Sequence, residues 1–226
     1  QALTDQTGVS GTVGNTAVGY QAGANTTTAT YNTYIGYQTG QAGTNTGGEN
    51  VAVGATALQA ITNGTVNTAL GTRAGLVLTT GDRNVFVGKD AGDSAVSCND
   101  VVFIGHDAGH TVGDTSAVDG TILIGSSAGQ AVTTGERNTV IGYQAFYTAT
   151  ELDSNVAIGY KALYAASGSA GSTGNIMIGD LAGTAITTGK HSVMIGDRAG
   201  AQTTTGTTNT FMGYFAGYSN RSGSSN

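Results

Sequence analysis

The sequence predicts an all-β, repetitive parallel β-solenoid of about twelve rungs, each about 17 residues long. Three observations lead to this fold class: a recurring motif, glycines at a near-constant spacing, and short segments with the alternation of β-strands. The motif first occurs at residues 15–23 (Asn-Thr-Ala-Val-Gly-Tyr-Gln-Ala-Gly) and last at residues 209–217. Its central glycine lies at Gly19, Gly36, Gly54, Gly71, Gly88, Gly105, Gly125, Gly142, Gly159, Gly179, Gly196 and Gly213. These glycines recur about every 17 residues, with one interval longer by a single residue and two longer by three.

The strand of each repeat is predicted just before the central glycine, from which positions are counted here. Position −1 is always Val, Ile, Leu or Met, and position −3 is always β-branched. Side chains alternate along a strand, so these two positions share one face. Position −1 holds Val18, Ile35, Val53, Leu70, Val87, Ile104, Ile124, Ile141, Ile158, Ile178, Ile195 and Met212, and position −3 holds Thr16, Thr33, Val51, Thr68, Val85, Val102, Ile122, Thr139, Val156, Ile176, Val193 and Thr210.

The residue between them, at position −2, points to the opposite face and is never charged. It is Ala17, Tyr34, Ala52, Ala69, Phe86, Phe103, Leu123, Val140, Ala157, Met177, Met194 or Phe211. A strand that is apolar on both faces is buried on both faces. A coil of about 17 residues has only one interior, so we expect sister copies of the chain to cover the second face in a cyclic homo-oligomer.

The residues around each strand predict tight corners and a stacked amide ladder. The central glycine allows the positive φ of a sharp corner, and Ala follows at position +3 in eleven of the twelve units. Position −4 is asparagine in nine units, and stacked amides can donate and accept hydrogen bonds along a ladder. The ladder residues are Asn15, Asn32, Asn50, Asn67, Asn84, Asn138, Asn155, Asn175 and Asn209, and we expect Val101, Thr121 and Ser192 to interrupt it.

The repeats divide the chain into three parts. Residues 1–14 are predicted to be a leader or half-rung, residues 15–217 the solenoid, and residues 218–226 a frayed polar tail. A longer period, equal to three rungs, relates the segments that begin at Thr79, Thr133 and Thr187. The two longer rungs, around residues 113–120 and 167–174, are expected to form exposed loops on one side.

Composition and charge exclude several classes of function. The formal charge is −6 with only eight scattered Lys and Arg residues, which argues against nucleic acid as a partner. No apolar run approaches the ~20 residues of a membrane span, so no membrane insertion is expected. The single Cys98 forms no intrachain disulfide and is predicted to be a small core residue. Because the chain begins at Gln1, we expect a processed product or a fragment.

The motif Asn-Thr-Ala-Val-Gly-Tyr-Gln-Ala-Gly, followed by Thr-Thr-Gly and the next Asn, resembles the repeats of phage tail-fibre and tail-spike shafts. It is also similar to the shorter repeats in the heads of YadA-like trimeric autotransporter adhesins. The resemblance covers about 200 of the 226 residues. It implies a left-handed β-roll, an intertwined homotrimer and attachment to a surface, on a virion or in an extracellular or cell-surface fibre. The period of about 17 residues departs from the shorter adhesin repeat.

Catalytic, cofactor and metal sites are not predicted. His106, Asp107 and His110 could suggest a metal, but no third ligand is within sequence reach, unless a threefold axis brings copies together. Carboxylate pairs for glycoside cleavage, such as Glu151 with Asp153 or Asp180 with Asp197, arise readily wherever rungs are stacked. The hexapeptide of β-helix acyltransferases occurs once per rung instead of on every face. We therefore expect no enzyme and no cofactor.

Recognition is predicted at position +1, which varies on an otherwise constant frame. Tyr20, Tyr37, Tyr143, Tyr160 and Tyr214 occupy it, and tyrosine offers a flat ring with a hydroxyl group. These tyrosines either contact a cell-surface glycan or receptor, or pack between rungs or protomers. Two other functions stay open: an ice-binding solenoid, suggested by the many threonines, and a fibre-borne polysaccharide depolymerase.

Overall fold

Twelve parallel strands of three residues each form the regular structure of the chain. The computed structural model describes residues 2–3, 13–41, 43–113, 117–166 and 173–226. It divides into two compact units, residues 1–116 and 117–226. The first unit contains β1 (Thr16–Val18), β2 (Thr33–Ile35), β3 (Val51–Val53), β4 (Thr68–Leu70), β5 (Val85–Val87) and β6 (Val102–Ile104). The second contains β7 (Ile122–Ile124), β8 (Thr139–Ile141), β9 (Val156–Ile158), β10 (Ile176–Ile178), β11 (Val193–Ile195) and β12 (Thr210–Met212).

Within each unit, every strand pairs with the next one along the chain, parallel and in register. Phe86 of β5 lies opposite Phe103 of β6, and Val140 of β8 lies opposite Ala157 of β9. Equivalent positions of the repeat are therefore neighbours in space, one rung apart. The predicted parallel β-solenoid is confirmed, and no part of the chain that the structure describes is helical.

The middle residue of each strand faces the interior, as the alternation predicts. Tyr34, Phe86 and Phe103 are fully buried in the first unit, and Leu123 and Met177 are fully buried in the second. Positions −1 and −3 face outward and stay half-exposed in the single chain, with burial patterns such as intermediate–buried–exposed in β8. Each sheet is therefore apolar on both faces, but only the inner face is covered by the chain itself.

Two further columns complete the core of each rung. Alanines at position +3, such as Ala91 and Ala145, are fully buried. The column at position +7 contributes Ile61, Leu78 and Ile186, also fully buried. The sequence analysis above does not identify this second column, because turn residues separate it from the strand.

Buried polar and sulfur-containing groups also lie in the core. Cys98 is buried, in agreement with the sequence. The Tyr34 hydroxyl accepts a hydrogen bond of 2.8 Å from Asn45 Nδ2. Burial disfavours the phenolate and raises the pKa of Tyr34 to about 12.

The corner after each strand depends on the central glycine. These glycines have φ between +123° and +143°, a region that side-chain-bearing residues rarely adopt. A Cβ on Gly88 would lie 2.6 Å from the carbonyl oxygen of Gly105, one rung away. The glycine is therefore required both by the backbone conformation and by the close stacking of successive corners.

The asparagines at position −4 form a hydrogen-bonded ladder that is fully buried over most of its length. The Oδ1 of Asn67 accepts a hydrogen bond of 3.0 Å from the backbone N–H of Asn84, one rung on. Its Nδ2 donates to the carbonyl oxygen of Gly81 at 2.8 Å. Amide-to-amide bonds also occur, as from Asn84 Nδ2 to Asn67 Oδ1 at 2.9 Å. Most of the ladder nevertheless joins side chains to backbone groups that would otherwise be buried without partners.

Two of the three expected interruptions of the ladder are wrong. Thr121 Oγ1 donates to the Gly135 carbonyl at 2.9 Å and accepts from the backbone N–H of Asn138 at 3.3 Å. Ser192 Oγ accepts from the backbone N–H of Asn209 at 3.2 Å. A hydroxyl group can donate and accept, so it replaces the amide at this position. Val101 has no polar side-chain atom, and only there does the prediction of an interruption stand.

The expected frayed tail at residues 218–226 is also wrong. The Thr204 N–H donates to the Arg221 carbonyl at 2.7 Å, and the Thr210 N–H donates to the Asn226 carbonyl at 2.8 Å. Asn226 Nδ2 donates to Asn209 Oδ1 at 2.9 Å, which extends the asparagine ladder. The segment therefore forms the return half of a further rung, because its backbone groups find partners on the rung before it.

Other predicted boundaries fall outside the described residues. These are most of the leader at 1–14 and the centres of the two longer rungs, at 114–116 and 167–172.

Candidate functional site

Two pairs of stacked tyrosines mark the turn side of the second unit. The rings of Tyr143 and Tyr160 lie 5.8 Å apart, centroid to centroid, with an angle of 7° between their planes. Those of Tyr147 and Tyr164 lie 5.2 Å apart at 2°. Tyr143 and Tyr160 remain 49% and 45% exposed. The tyrosines thus pack between rungs and also remain accessible to solvent.

Lys161 joins the two tyrosine pairs. Its Nζ lies 5.2 Å from the ring centroid of Tyr160 and 5.2 Å from that of Tyr164, which is within the range of a cation–π interaction. We call Tyr143, Tyr147, Tyr160, Lys161 and Tyr164 the tyrosine platform. Of these five residues, only Tyr143 and Tyr160 are predicted from the sequence to contact a ligand. Tyr147 and Tyr164 could have been found from their separation by a single repeat period.

The backbone fixes the spacing of the platform. The Lys161 N–H donates to the Tyr143 carbonyl at 3.0 Å, and the Thr148 N–H donates to the Tyr164 carbonyl at 3.1 Å. Each tyrosine-bearing turn is thereby bonded to the next, and little backbone freedom remains to be lost when a ligand binds. Because the inner ring faces cover each other, a ligand would meet ring edges, outer faces and hydroxyl groups rather than two free rings.

The other predicted tyrosines lie at different places along the chain. Tyr20 and Tyr37 of the first unit stack at 5.5 Å and 14°. Tyr214 packs edge-on against Phe215 at 4.5 Å, and the guanidinium of Arg198 lies 5.4 Å from the Phe215 ring. All three tyrosines are more than half exposed. Only Tyr20 and Tyr37 repeat the parallel stacking of the platform.

The histidine-containing segment acquires neighbours that its sequence does not reveal. Ligand atoms of His106, Asp107 and Asp90 lie within 4.8 Å of one another, and His110 Nδ1 lies 2.7 Å from Asp93 Oδ1. The third possible ligand lies outside the local sequence and is brought in by the fold. Asp90 comes from the preceding rung, one full period before Asp107, so stacking brings it there.

Three carboxylates of the second unit line a shallow cavity of about 300 Å³. They are Glu136, Glu151 and Asp153, and Ala117, Thr134 and Gly135 complete the lining. The Glu136 N–H donates to Asp153 Oδ1 at 2.9 Å. The structure thus brings Glu151 and Asp153, one of the carboxylate pairs considered from the sequence, to one cavity. Asp180 and Asp197, the other pair, are not among its lining residues.

The ion pairs of the return turns are exposed. Arg83 holds Asp100 through Nε–Oδ1 and Nη2–Oδ2 contacts of 2.6 and 2.9 Å. These hydrogen bonds hold the pKa of Asp100 below its usual value. The two residues are again one repeat period apart, one on each of two successive rungs.

An expectation that the chain contains no Gly-x-Ser-x-Gly motif of hydrolases would be wrong, because residues 125–129, Gly-Ser-Ser-Ala-Gly, fit the pattern. In those enzymes the serine sits between a strand and a helix. Here Ser127 follows β7 with φ of +56°, and a turn follows it instead of a helix. Because the same backbone corner recurs in every rung, its geometry at Ser127 reflects the repeat.

Threonine hydroxyls on the return turns are used inside the repeat. Thr79, Thr133 and Thr187, the residues related by the longer period, each donate to a backbone carbonyl one rung on, at 3.1, 3.1 and 3.2 Å. Their hydroxyl hydrogens are therefore engaged with the protein. An ice-binding surface would need such groups to face water in a regular array.

The fold and its repeat place the chain in a structural class: the parallel β-solenoids built from repeated rungs of about 17 residues, an architecture compatible with a repeat fibre protein. No family model matches the chain, and no curated protein and no solved structure matches it. Among the described residues, no helix is long and apolar enough to cross a membrane.

Proposed function

We propose that the chain is a structural attachment protein, a segment of an extracellular fibre that binds a cell-surface glycan or receptor. The fibre would be the shaft or receptor-binding part of a phage tail fibre, or an adhesin-like fibre on a cell surface. The observation that carries this proposal is the outward face of the strands, which carries an apolar side chain at position −1 in every rung and is uncovered in the single chain. The sequence resemblance to fibre repeats supports the same reading.

Sister copies are the occupants that fit this face best. Ile35, Leu70, Ile141 and Ile176 are 36–39% exposed, and no charged residue occurs at positions −1 or −3 of any strand. A partner would therefore have to be apolar and to repeat at the spacing of the rungs, ~4.8 Å. Another copy of the chain meets both requirements. Two outward residues on each of twelve strands give 24 residues, which is within the ~20–30 residues per side of a stable interface.

Oligomeric state tests this part of the proposal. We expect the full chain to sediment as a homotrimer and Ile141→Asp with Ile158→Asp to sediment as a monomer, because a carboxylate at the interface would lose its hydration. Thr205→Asp is the matched control, since Thr205 is exposed and lies outside the strands. A wild-type chain that stays monomeric at micromolar concentration would contradict self-association.

The tyrosine platform is the proposed contact for the glycan. Tyrosine combines a large, rigid ring with a hydroxyl group, so it binds sugars at a small cost in side-chain entropy. Lys161 adds a positive charge between the rings, in a chain whose formal charge is −6. We therefore expect the platform to bind acidic glycans more tightly than neutral ones.

Binding to a panel of immobilised glycans tests the platform. The double variant Tyr143→Ala with Tyr160→Ala is expected to lose binding while its melting temperature stays near that of the wild type. Tyr31→Ala, which removes an exposed tyrosine of the first unit, should bind normally. Tyr143→Phe with Tyr160→Phe separates hydroxyl contacts from ring contacts. Equal binding by the alanine variant and the wild type would refute the platform.

A polysaccharide depolymerase is a second candidate function, favoured by the carboxylate cavity. Glu136, Glu151 and Asp153 supply the acidic groups that glycoside cleavage needs. Loss of viscosity in a polysaccharide solution measures this activity directly. If the cavity is catalytic, Glu151→Gln removes the activity without changing glycan binding at the tyrosine platform.

A further inference from the structure

We propose that Asp90, His106 and Asp107 form a binding site for a divalent transition-metal ion, with Zn²⁺ as its simplest representative. Their ligand atoms lie within 4.8 Å of one another. Asp90 and Asp107 occupy position +2 of two successive rungs, and His106 occupies position +1 of the second. The site belongs wholly to the first unit and does not depend on the proposed attachment function.

The donor set selects the kind of ion. One imidazole nitrogen and two carboxylate oxygens suit Zn²⁺ and related transition metals, whereas Ca²⁺ and Mg²⁺ prefer sites made of oxygen alone. Three protein ligands also match the number in which zinc keeps an open position for water. The side chain of His106 is 52% exposed, so an ion can reach the site from solvent.

The charges around Asp90 are compatible with the binding of a divalent cation. Arg73 contacts Asp90 Oδ1 at 3.2 Å and Asp93 Oδ2 at 2.6 Å, and its charge balances that of Asp93. Asp107 Oδ2 lies 3.1 Å from His106 Nδ1, and the second cation at Asp90, beside Arg73, is Lys89. Its side chain is 57% exposed, so its ammonium group can move into water. A divalent ion in its place would neutralise both carboxylates.

Buried atoms without hydrogen bonds provide a second observation at the same place. Asp90 and Asp93 are each only 5% exposed, and Oδ1 of both residues and Nδ1 of His110 have ion-pair contacts but no hydrogen bond. The Asp93 Oδ1 and His110 Nδ1 atoms face each other at 2.7 Å in a poor geometry for a hydrogen bond. Burying polar atoms without hydrogen bonds is costly. A cation imposes weaker directional demands on a carboxylate than a hydrogen-bond donor does, so an ion beside Asp90 would add to the contact that Arg73 makes with Oδ1.

Calorimetric titration of the full-length, untagged chain with ZnCl₂ tests the site. We expect one equivalent of Zn²⁺ per chain, a rise in melting temperature that a chelator reverses, and no comparable binding of Ca²⁺ or Mg²⁺. His106→Ala should weaken binding at least about tenfold. His191→Ala, which removes the exposed histidine of the second unit, is the matched control and should bind as the wild type does.

Lys89→Ala separates a metal site from a closed ion-pair network. If Lys89 competes with the metal for Asp90, this variant binds Zn²⁺ severalfold more tightly than the wild type. Absence of Zn²⁺ binding, unchanged binding by His106→Ala, or weaker binding by Lys89→Ala would each overturn the proposal. His106 and Lys89 are both half-exposed or more, and circular dichroism verifies that their variants fold.

Discussion

Alanine in place of the central glycine should be far more costly in an inner rung than in the last complete one. Gly196 and Gly213 have nearly the same backbone conformation, with φ of +134° and +123°. A Cβ on Gly196 would lie 2.4 Å from the Gly213 carbonyl oxygen, whereas a Cβ on Gly213 would have no atom within 4 Å. The two substitutions therefore separate backbone strain from the clash between rungs.

The magnitudes follow from these distances. Strain at a positive φ costs of order 1–3 kcal/mol, and both variants bear it. Ordinary contact begins at 3.4 Å, so Gly196→Ala must also push two corners apart by about 1 Å. Hydrogen bonds of 2.7 Å from the Gly213 N–H to the Ile195 carbonyl and of 2.8 Å from the Gly196 N–H to the Ile178 carbonyl oppose this movement. We expect about 1–3 kcal/mol for Gly213→Ala and about 3–6 kcal/mol for Gly196→Ala.

Guanidinium unfolding measures both free energies, provided that the denaturant dependence is the same for the two variants. Hydrogen exchange of the Gly213 amide adds a local measurement. It should accelerate in Gly196→Ala, where the clash strains its bond to Ile195, beyond what the loss of global stability explains. Equal destabilisation by the two substitutions would show that stacking between corners does not require glycine, and the reasoning would fail.

Three more predictions concern the core and the ladder. Phe86→Ala should lower the free energy of unfolding by about 3–5 kcal/mol, since its fully buried ring leaves a cavity; chemical denaturation measures the loss. Asn67→Ala should lower the free energy of unfolding by about 2–4 kcal/mol because buried backbone groups lose their hydrogen-bond partners. Asn67→Thr should lower it by about half as much, because the Thr121 hydroxyl already replaces the amide at the equivalent position of another rung. Thermal unfolding compares the two variants. The pKa of Tyr34 is raised from 10.0 to about 12, so above pH 10 the unfolded chain loses the phenol proton before the folded chain does. The free energy of unfolding should therefore be unaffected by this group below pH 10 and should fall by about 2–3 kcal/mol between pH 10 and pH 12. Unfolding measured across this range should show a step that Tyr34→Phe removes.

The strands and their register could be predicted from the sequence because the repeat constrains them twice. Alternation at positions −1 to −3 fixes which side chain of each strand enters the core, and the constant period fixes which strands are neighbours. Phe86 and Phe103, for example, are assigned to one face and to adjacent rungs before any coordinates are known. Both assignments are confirmed.

The candidate sites were harder to predict because they are formed between rungs. Tyr147 with Tyr164, and Asp90 with Asp107, are one repeat period apart in sequence and adjacent in space. Inspection of local motifs misses such pairs, whereas comparing each residue with the one a full period later would find them. Left-handed turn residues that are not glycine, such as Lys161 with φ of +50°, cannot be recognised from the sequence either. Their conformation is imposed by the surrounding hydrogen bonds and not by the residue type.

The uniform hydrogen bonding between rungs has a consequence for how such a chain can change its length. Removing or duplicating a whole period keeps every asparagine, alanine and glycine opposite its counterpart, so the same contacts between rungs form on both sides of the change. The turns also accommodate extra residues, because Asn32 and Asn50 stay hydrogen-bonded across a rung that is one residue longer. The segments at Thr79, Thr133 and Thr187 recur every three rungs, as expected if the chain grew by duplication of three-rung blocks.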